Sequence, residues 1–154
     1  MTRELIPGKP MPDLTLAAAQ TIVATALKTA RSHSLKPLAV VVYDARGALK
    51  ALGAEDGTSL RRAEVAMGKA NGCLALGLGG RAIHKRAEEQ AYFVAAVSHL
   101  VGPAALVPVP GGVLIRDGDA VIGAVGISGD TSDNDELCAL AGIEAAGFTA
   151  QTGA

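Results

Sequence analysis

Tryptophan is absent, and two Tyr and two Phe are the only aromatic rings besides histidine in 154 residues. Platforms on which bases or sugars stack are therefore hard to build. Charge of one sign is lacking too: 14 basic side chains against 15 acidic ones leave a formal net charge of −1. That balance suits neither the basic face of a nucleic-acid binder nor a polybasic membrane anchor. No apolar run approaches the ~18–20 residues of a membrane span. The opening stretch, Met1 to Gly8, carries Glu4 and Pro7 where a signal peptide has its apolar core, so the expected location is the cytoplasm.

Local metal and nucleophile motifs are missing as well. Cys73 and Cys138 make neither a CxxC nor a zinc spacing, and in their Ala/Leu-rich surroundings they read as buried free thiols. His33, His84 and His99 form no HxxxH or HxxEH pair, so no metal is expected from sequence-local ligands. There is no GxSxG elbow and no glycine loop ending in Gly-Lys-Ser/Thr. A calcium loop starting at Asp130 fails, because its glycine slot and its closing slot hold Asp135 and Ala141.

What the chain does have is glycine, 19 residues, and small aliphatics that make up most of its 49% hydrophobic content. Its length suits one domain. We expect an extended arm over residues 1–12, which hold three prolines, and a domain over residues 13–150. Thr15 reads as an N-cap for a helix to about Ser32, with Leu16, Ala19, Val23, Ala26, Leu27 and Ala30 on one face. Leu38 to Tyr43 and Ala48 to Ala54 read as a β-hairpin around Asp44-Ala45-Arg46-Gly47.

A polar loop ending in the capping residue Ser59 precedes a helix from Leu60 to about Leu76. Gly68 and Gly72 lie inside it. A helical glycine costs about 1 kcal/mol relative to alanine, so another backbone is expected to pack very close there. After Gly77-Leu78-Gly79-Gly80, one charged helix is expected from Arg81 to about Leu100. Val113 to Arg116 and Ala120 to Ile127 form a second hairpin around Asp117-Gly118, and a final helix runs from Asp133, read as its cap, to Ala146. Two hairpins cannot make a parallel βαβ core, which predicts an antiparallel sheet covered by helices.

Candidate chemistry is sparse. Gly77-Leu78-Gly79-Gly80 could cradle an anion, but it follows no strand and reads better as a helix break. Pro110-Gly111-Gly112 is a stronger ligand-contact candidate, because glycines let a ligand touch the backbone. Asp130, Asp133, Asp135 and Glu136 suit the first turn of a helix, and Asp135 and Glu136 are the catalytic candidates among them. Lys69 sits on an otherwise apolar helix, where an ammonium must snorkel, pair with an acid or bind an anion. Arg61, Arg62 and Glu64 stand nearby in sequence.

In order, Leu14-Thr15-Leu16, the strand and turn from Val40 to Gly47, Gly68-Lys69-Ala70, Pro110-Gly111-Gly112, the run from Gly123 to Gly129, and Asp135-Glu136 resemble the GlcG/HbpS-like haem-binding family over about residues 13–147. The resemblance implies a profilin-like α/β (α+β) fold with an antiparallel five-stranded sheet packed with helices. It also implies homo-oligomers and a link to haem, corrinoid or organic-acid biology. The expected function is a cytoplasmic small-ligand-binding protein, nominally for haem or another tetrapyrrole. Its site would lie between the Gly68-Lys69 helix and Pro110-Gly111-Gly112, with Arg61 and Lys69 meeting propionates and Asp130 among the contacts. The alternative is an enzyme acting on a small carboxylated metabolite, with Asp135 and Glu136 as acid and base. The Gly68/Gly72 face and the Ala-rich first helix are the surfaces on which a homo-oligomer is expected to form.

Overall fold

A computed structural model describes residues 13–154; the arm expected over residues 1–12 lies outside the described residues. The first helix, α1 (Leu16–Ser32), is capped by Thr15, whose hydroxyl accepts the Ala18 N–H at 3.1 Å. Its buried stripe is Ala19, Ile22, Ala26 and Ala30, whereas Leu16 is exposed. The expected face is thus largely the buried one, with Val23 and Leu27 packed partly buried against the same core; Ile22 joins it and Leu16, the first helical residue, does not.

The hairpin forms as read, from β1 (Ala39–Asp44) and β2 (Leu49–Ala54). Asp44 Oδ1 accepts the N–H groups of Arg46 and Ala48, and Gly47 takes the left-handed conformation that the turn requires. Alternate residues of β1 feed two cores: Val40 and Val42 face one layer, Ala39, Val41 and Tyr43 the other.

Helix α2 (Arg62–Leu76) starts two residues later than expected. Ser59 does not cap it with a side chain; its carbonyl accepts the Arg62 N–H at 3.0 Å in a turn that delays the helix. The single helix expected from Arg81 to Leu100 is two helices, α3 (Gly80–Glu89) and α4 (Ala91–Val97), broken at Gln90 with φ −141° and ψ 63°. No Gly or Pro marks that break. The Arg86 guanidinium spans it, packing over the Phe93 ring 4.0 Å from its centroid.

Strands β3 (Gly112–Asp117) and β4 (Ala120–Ser128) form the second hairpin. Helix α5 (Ser132–Ala145) is capped by Thr131, which accepts the Asn134 N–H, and not by Asp133, which pairs with Arg81 instead. A short strand, β5 (Thr149–Gln151), pairs with β3 and supplies the fifth strand. All pairings are antiparallel, in the order β2-β1-β4-β3-β5. Helices α1 and α5 cover one face of the sheet; α2, α3 and α4 cover the other.

Glycines set how closely α2 approaches the sheet. A Cβ on Gly126 of β4 would overlap the Ala66 carbonyl oxygen, and one on Gly112 of β3 would stand 2.5 Å from the Lys69 carbonyl oxygen. The close partner of Gly68 and Gly72 is this chain's own loop. A Cβ on Gly68 would meet Val107 at 2.7 Å, and one on Gly72 would meet Leu106 at 3.0 Å. The Gly68/Gly72 face is thus covered from within, which removes it as a surface for a second chain.

Replacing Gly126 by alanine should push α2 off the sheet and cost about 3 kcal/mol or more, as in overpacked cores. Urea unfolding would measure this, with Leu60→Ser as a near-neutral control because Leu60 is 88% exposed.

Candidate functional site

Beneath α2 lies a buried ion pair. Lys69 projects from the sheet-facing side of α2 and is 3% exposed; Asp135, in the first turn of α5, is 1% exposed. The Lys69 ammonium donates to Asp135 Oδ2 at 3.1 Å and to the Ile127 carbonyl at 2.8 Å. The Asp130 N–H donates to the other oxygen, Asp135 Oδ1, at 3.0 Å. Desolvation pushes the Lys69 pKa down and the Asp135 pKa up, and each charge partly offsets the shift of the other. The pairing that was one option for Lys69 in the sequence is what the fold uses.

Pro110, Gly111 and Gly112 close over this pair. Gly111 adopts φ +112°, and its carbonyl accepts the Ile127 N–H at 2.9 Å. A Cβ there would sit 2.8 Å from Lys69 Nζ and 3.2 Å from Asp135 Cβ. The structure therefore brings together Lys69, Asp135, Pro110, Gly111 and Gly112, but fills the space between helix and loop with their own atoms. Arg61 does not join them. Its side chain is 72% exposed and pairs with Glu64 one turn along.

Asp130 holds the loop that carries β4 into α5. Its Oδ1 accepts from the Thr131 N–H and the Asn134 amide, and its Oδ2 accepts from the Lys36 N–H at 2.8 Å. The Asn134 bond, followed by those from Lys36 and Thr131, holds its carboxyl down at about 2. Glu136 is also committed: Arg81 grips it through Nε at 3.2 Å and Nη2 at 3.0 Å, and reaches Asp133 at 2.7 Å. That fork ties α3 to α5. Both candidate acid/base carboxylates, Asp135 and Glu136, are thus engaged in ion pairs that hold helices in place.

Other candidates resolve simply. Gly79 lies against the Thr152 backbone and the Arg81 N–H donates to the Thr152 carbonyl, so the glycine loop seats the chain after β5. Cys73 and Cys138 are free and buried, and burial pushes their thiols up to about 12 and about 11. Among the described residues no cluster of His, Cys, Asp and Glu is gathered to hold a metal, and no helix is long and apolar enough to cross a membrane.

Two features escaped the sequence reading. The first is an apolar groove of 330 Å³ between the α3–α4 bend and the preceding loop of β3, lined by Ala87, Ala91, Val94, Ala95, Leu106 and Pro108. Ser98 completes its lining, and the lining residue Pro108 is contacted by His84, whose ring lies between the Pro108 carbonyl, 3.2 Å from Nδ1, and Glu88, 3.0 Å from Nε2. Its small side chains recur at helical spacing, but only the unmarked break at Gln90 turns them into a groove. The second is the contact of Arg62, which leaves Glu64 to Arg61 and donates from Nη1 to the buried Ser128 hydroxyl at 3.1 Å.

Comparison with known proteins gives a consistent picture. The family model described as "Haem degrading protein HbpS-like" matches residues 14–144. The structure of a PduOC–haem complex superposes with TM-score 0.80 at 22% identity, over 90% of this chain and 98% of that one. HbpS itself superposes with TM-score 0.75 at 23% identity, over 88% of this chain and 92% of that one. The Klebsiella pneumoniae protein ORFY gives TM-score 0.79 at 24% identity, over 93% of this chain and 97% of that one. No curated protein matches the sequence.

Two outcomes follow from the buried pair and its loop. Lys69→Met should cost about 3–5 kcal/mol by stranding the Asp135 carboxylate, and Lys69→Met with Asp135→Leu should recover most of it; chemical denaturation of the three proteins decides. Asp130 is lowered from 3.8 to about 2 on folding, so its contribution is fully present above the higher value and is lost as pH falls through the lower one. Acid unfolding of Asp130→Asn should therefore lose part of the steep fall in stability across that window.

Proposed function

The chain belongs to the HbpS-like family, and from that premise we propose that it binds a tetrapyrrole, with haem as the nominal ligand, in the groove at the α3–α4 bend. The observation that carries this reading is the groove's composition: Ala, Val, Leu and Pro with Ser98 as the one polar side chain, and an imidazole, His84, held on the carbonyl of the lining residue Pro108. A macrocycle needs an apolar slot for its faces and an axial ligand for its iron. Its propionates need cations. Arg86, on the same helix pair, has a buried Nε with no hydrogen-bond partner among the described residues.

Each residue then has a defined task. The Pro108 carbonyl, accepting from His84 Nδ1–H, would fix the ring and leave Nε2, now on Glu88, as the nitrogen to bind iron. Arg86 would meet a propionate while its guanidinium stays stacked on Phe93. Ala91, Val94, Ala95 and Leu106 would exclude water from the ring. Iron held there supplies a redox-active, Lewis-acidic centre.

The volume of 330 Å³ is at the small end for ligand pockets. A second copy closing the open side would complete it, which places the ligand near a subunit boundary. Tyr92, 74% exposed, and Leu100, 82% exposed, give α4 and its end the apolar surface such a contact needs. We further propose that this chemistry is carried by a single domain of residues 13–150 working in the cytoplasm, where the two free thiols would persist.

Titration with haemin should give a saturable Soret shift. His84→Ala should lower the affinity at least about tenfold, as expected when iron loses an axial ligand, and Ala95→Trp should block the groove without unfolding the protein. A Soret band that never saturates, or one indifferent to both changes, would overturn the assignment. Light scattering should report a mass above the 15.4 kDa of one chain. A mass that stays at the monomer value on concentration would remove the boundary site.

A further inference from the structure

We propose that Arg62 and Ser128 form a recognition point for the carboxylate of a small organic acid, separate from the groove and independent of the tetrapyrrole reading. The two residues meet where α2 begins and β4 ends. Ser128 is 2% exposed, and its hydroxyl oxygen is used only as the acceptor of Arg62 Nη1–H. Its O–H has no acceptor among the described residues. A buried hydroxyl with an unused donor is an uncommon arrangement in a folded chain.

Arg62, half-buried, is sparsely engaged as well. It forms no ion pair among the described residues, and Nη1 makes its one hydrogen bond. The Nε and Nη2 edge, a planar pair of N–H donors, therefore has no partner among the described residues and faces partly to solvent. That edge matches the two oxygens of a carboxylate, side by side.

Four acids of the surrounding elements are committed elsewhere. Glu64 is taken by Arg61, Asp135 by Lys69 and the Asp130 N–H, and Asp130 by Lys36, Thr131 and Asn134. Glu55 is taken by Arg31 and the Leu38 N–H. Lys69 lies close enough that the Arg62 charge helps to lower its pKa. An incoming carboxylate would complete the donor set and relieve that repulsion. Phosphate can engage the same fork with two of its oxygens, and the titration below therefore carries it as a separate arm.

The test is a titration of the full-length, ¹⁵N-labelled protein with sodium acetate at constant ionic strength, with sodium chloride and inorganic phosphate as separate arms. Acetate should produce saturable shifts of the Arg62 Nε–Hε resonance and of the Gly129 amide. Arg62→Lys keeps the charge and loses the fork, and should weaken acetate at least about tenfold, the range for a charge-assisted hydrogen bond. Ser128→Ala should weaken it by a smaller factor while leaving the haemin titration unchanged. Equal shifts with chloride, tighter binding of phosphate at the same resonances, or an Arg62→Lys protein that binds acetate as before would each overturn the proposal. So would loss of haemin binding in Arg62→Lys, because the two sites would then be one.

Discussion

An ammonium enclosed by an α-helix and a β-sheet is the constraint around which this protein is arranged. Lys69 can stay there only while Asp135 and the Ile127 carbonyl face it, so α2, β4 and α5 hold one mutual position. Removing charge from water costs several kcal/mol per ion, and the mutual attraction repays this only with good geometry. Geometry in turn needs proximity. Gly111, Gly112 and Gly126 provide it by having no side chain where the helix and the ion pair come down on the strands. Ala66, Ala70 and Cys73 do the same from the helix side, as small buried residues flanking Lys69.

Most of the architecture was legible because its signals are local. Thr15 as a cap, Gly47 and Gly118 in turns, and the β-branched run of β1 each act within a few residues. The break at Gln90 was not legible: its cause is packing across the bend, with Arg86 over Phe93, and neither residue is a helix breaker. β5 was too short to show an alternation, and it exists because β3 offers an edge. The start of α5 misled because Asp133 has the spacing of a capping box, yet Arg81, distant in sequence, claims it.

The candidate site divided along the same line. Lys69 and Pro110-Gly111-Gly112 stand out in one dimension as a charge on an apolar helix and a glycine pair after proline, whereas Asp135 is ordinary in a first helical turn and only the fold brings it to Lys69. What occupies the space between them is not visible in one dimension either. Arg61 and Arg62 are adjacent and alike in sequence; only the direction of α2 sends one to solvent beside Glu64 and the other inward to Ser128. The groove is harder still to read, since alanines at helical spacing look the same whether they face a core or a ligand.

The glycines under α2 also change what substitution data would mean here. At Gly126 and Gly112 the requirement is for empty space, and it is as strict as any requirement for a functional group. A survey of tolerated changes would rank these positions beside Lys69 and Asp135, although a glycine has no side chain with which to do chemistry. Intolerance along β3 and β4 would therefore trace the footprint of a helix, and the chemistry would have to be sought where strict positions lie away from that footprint.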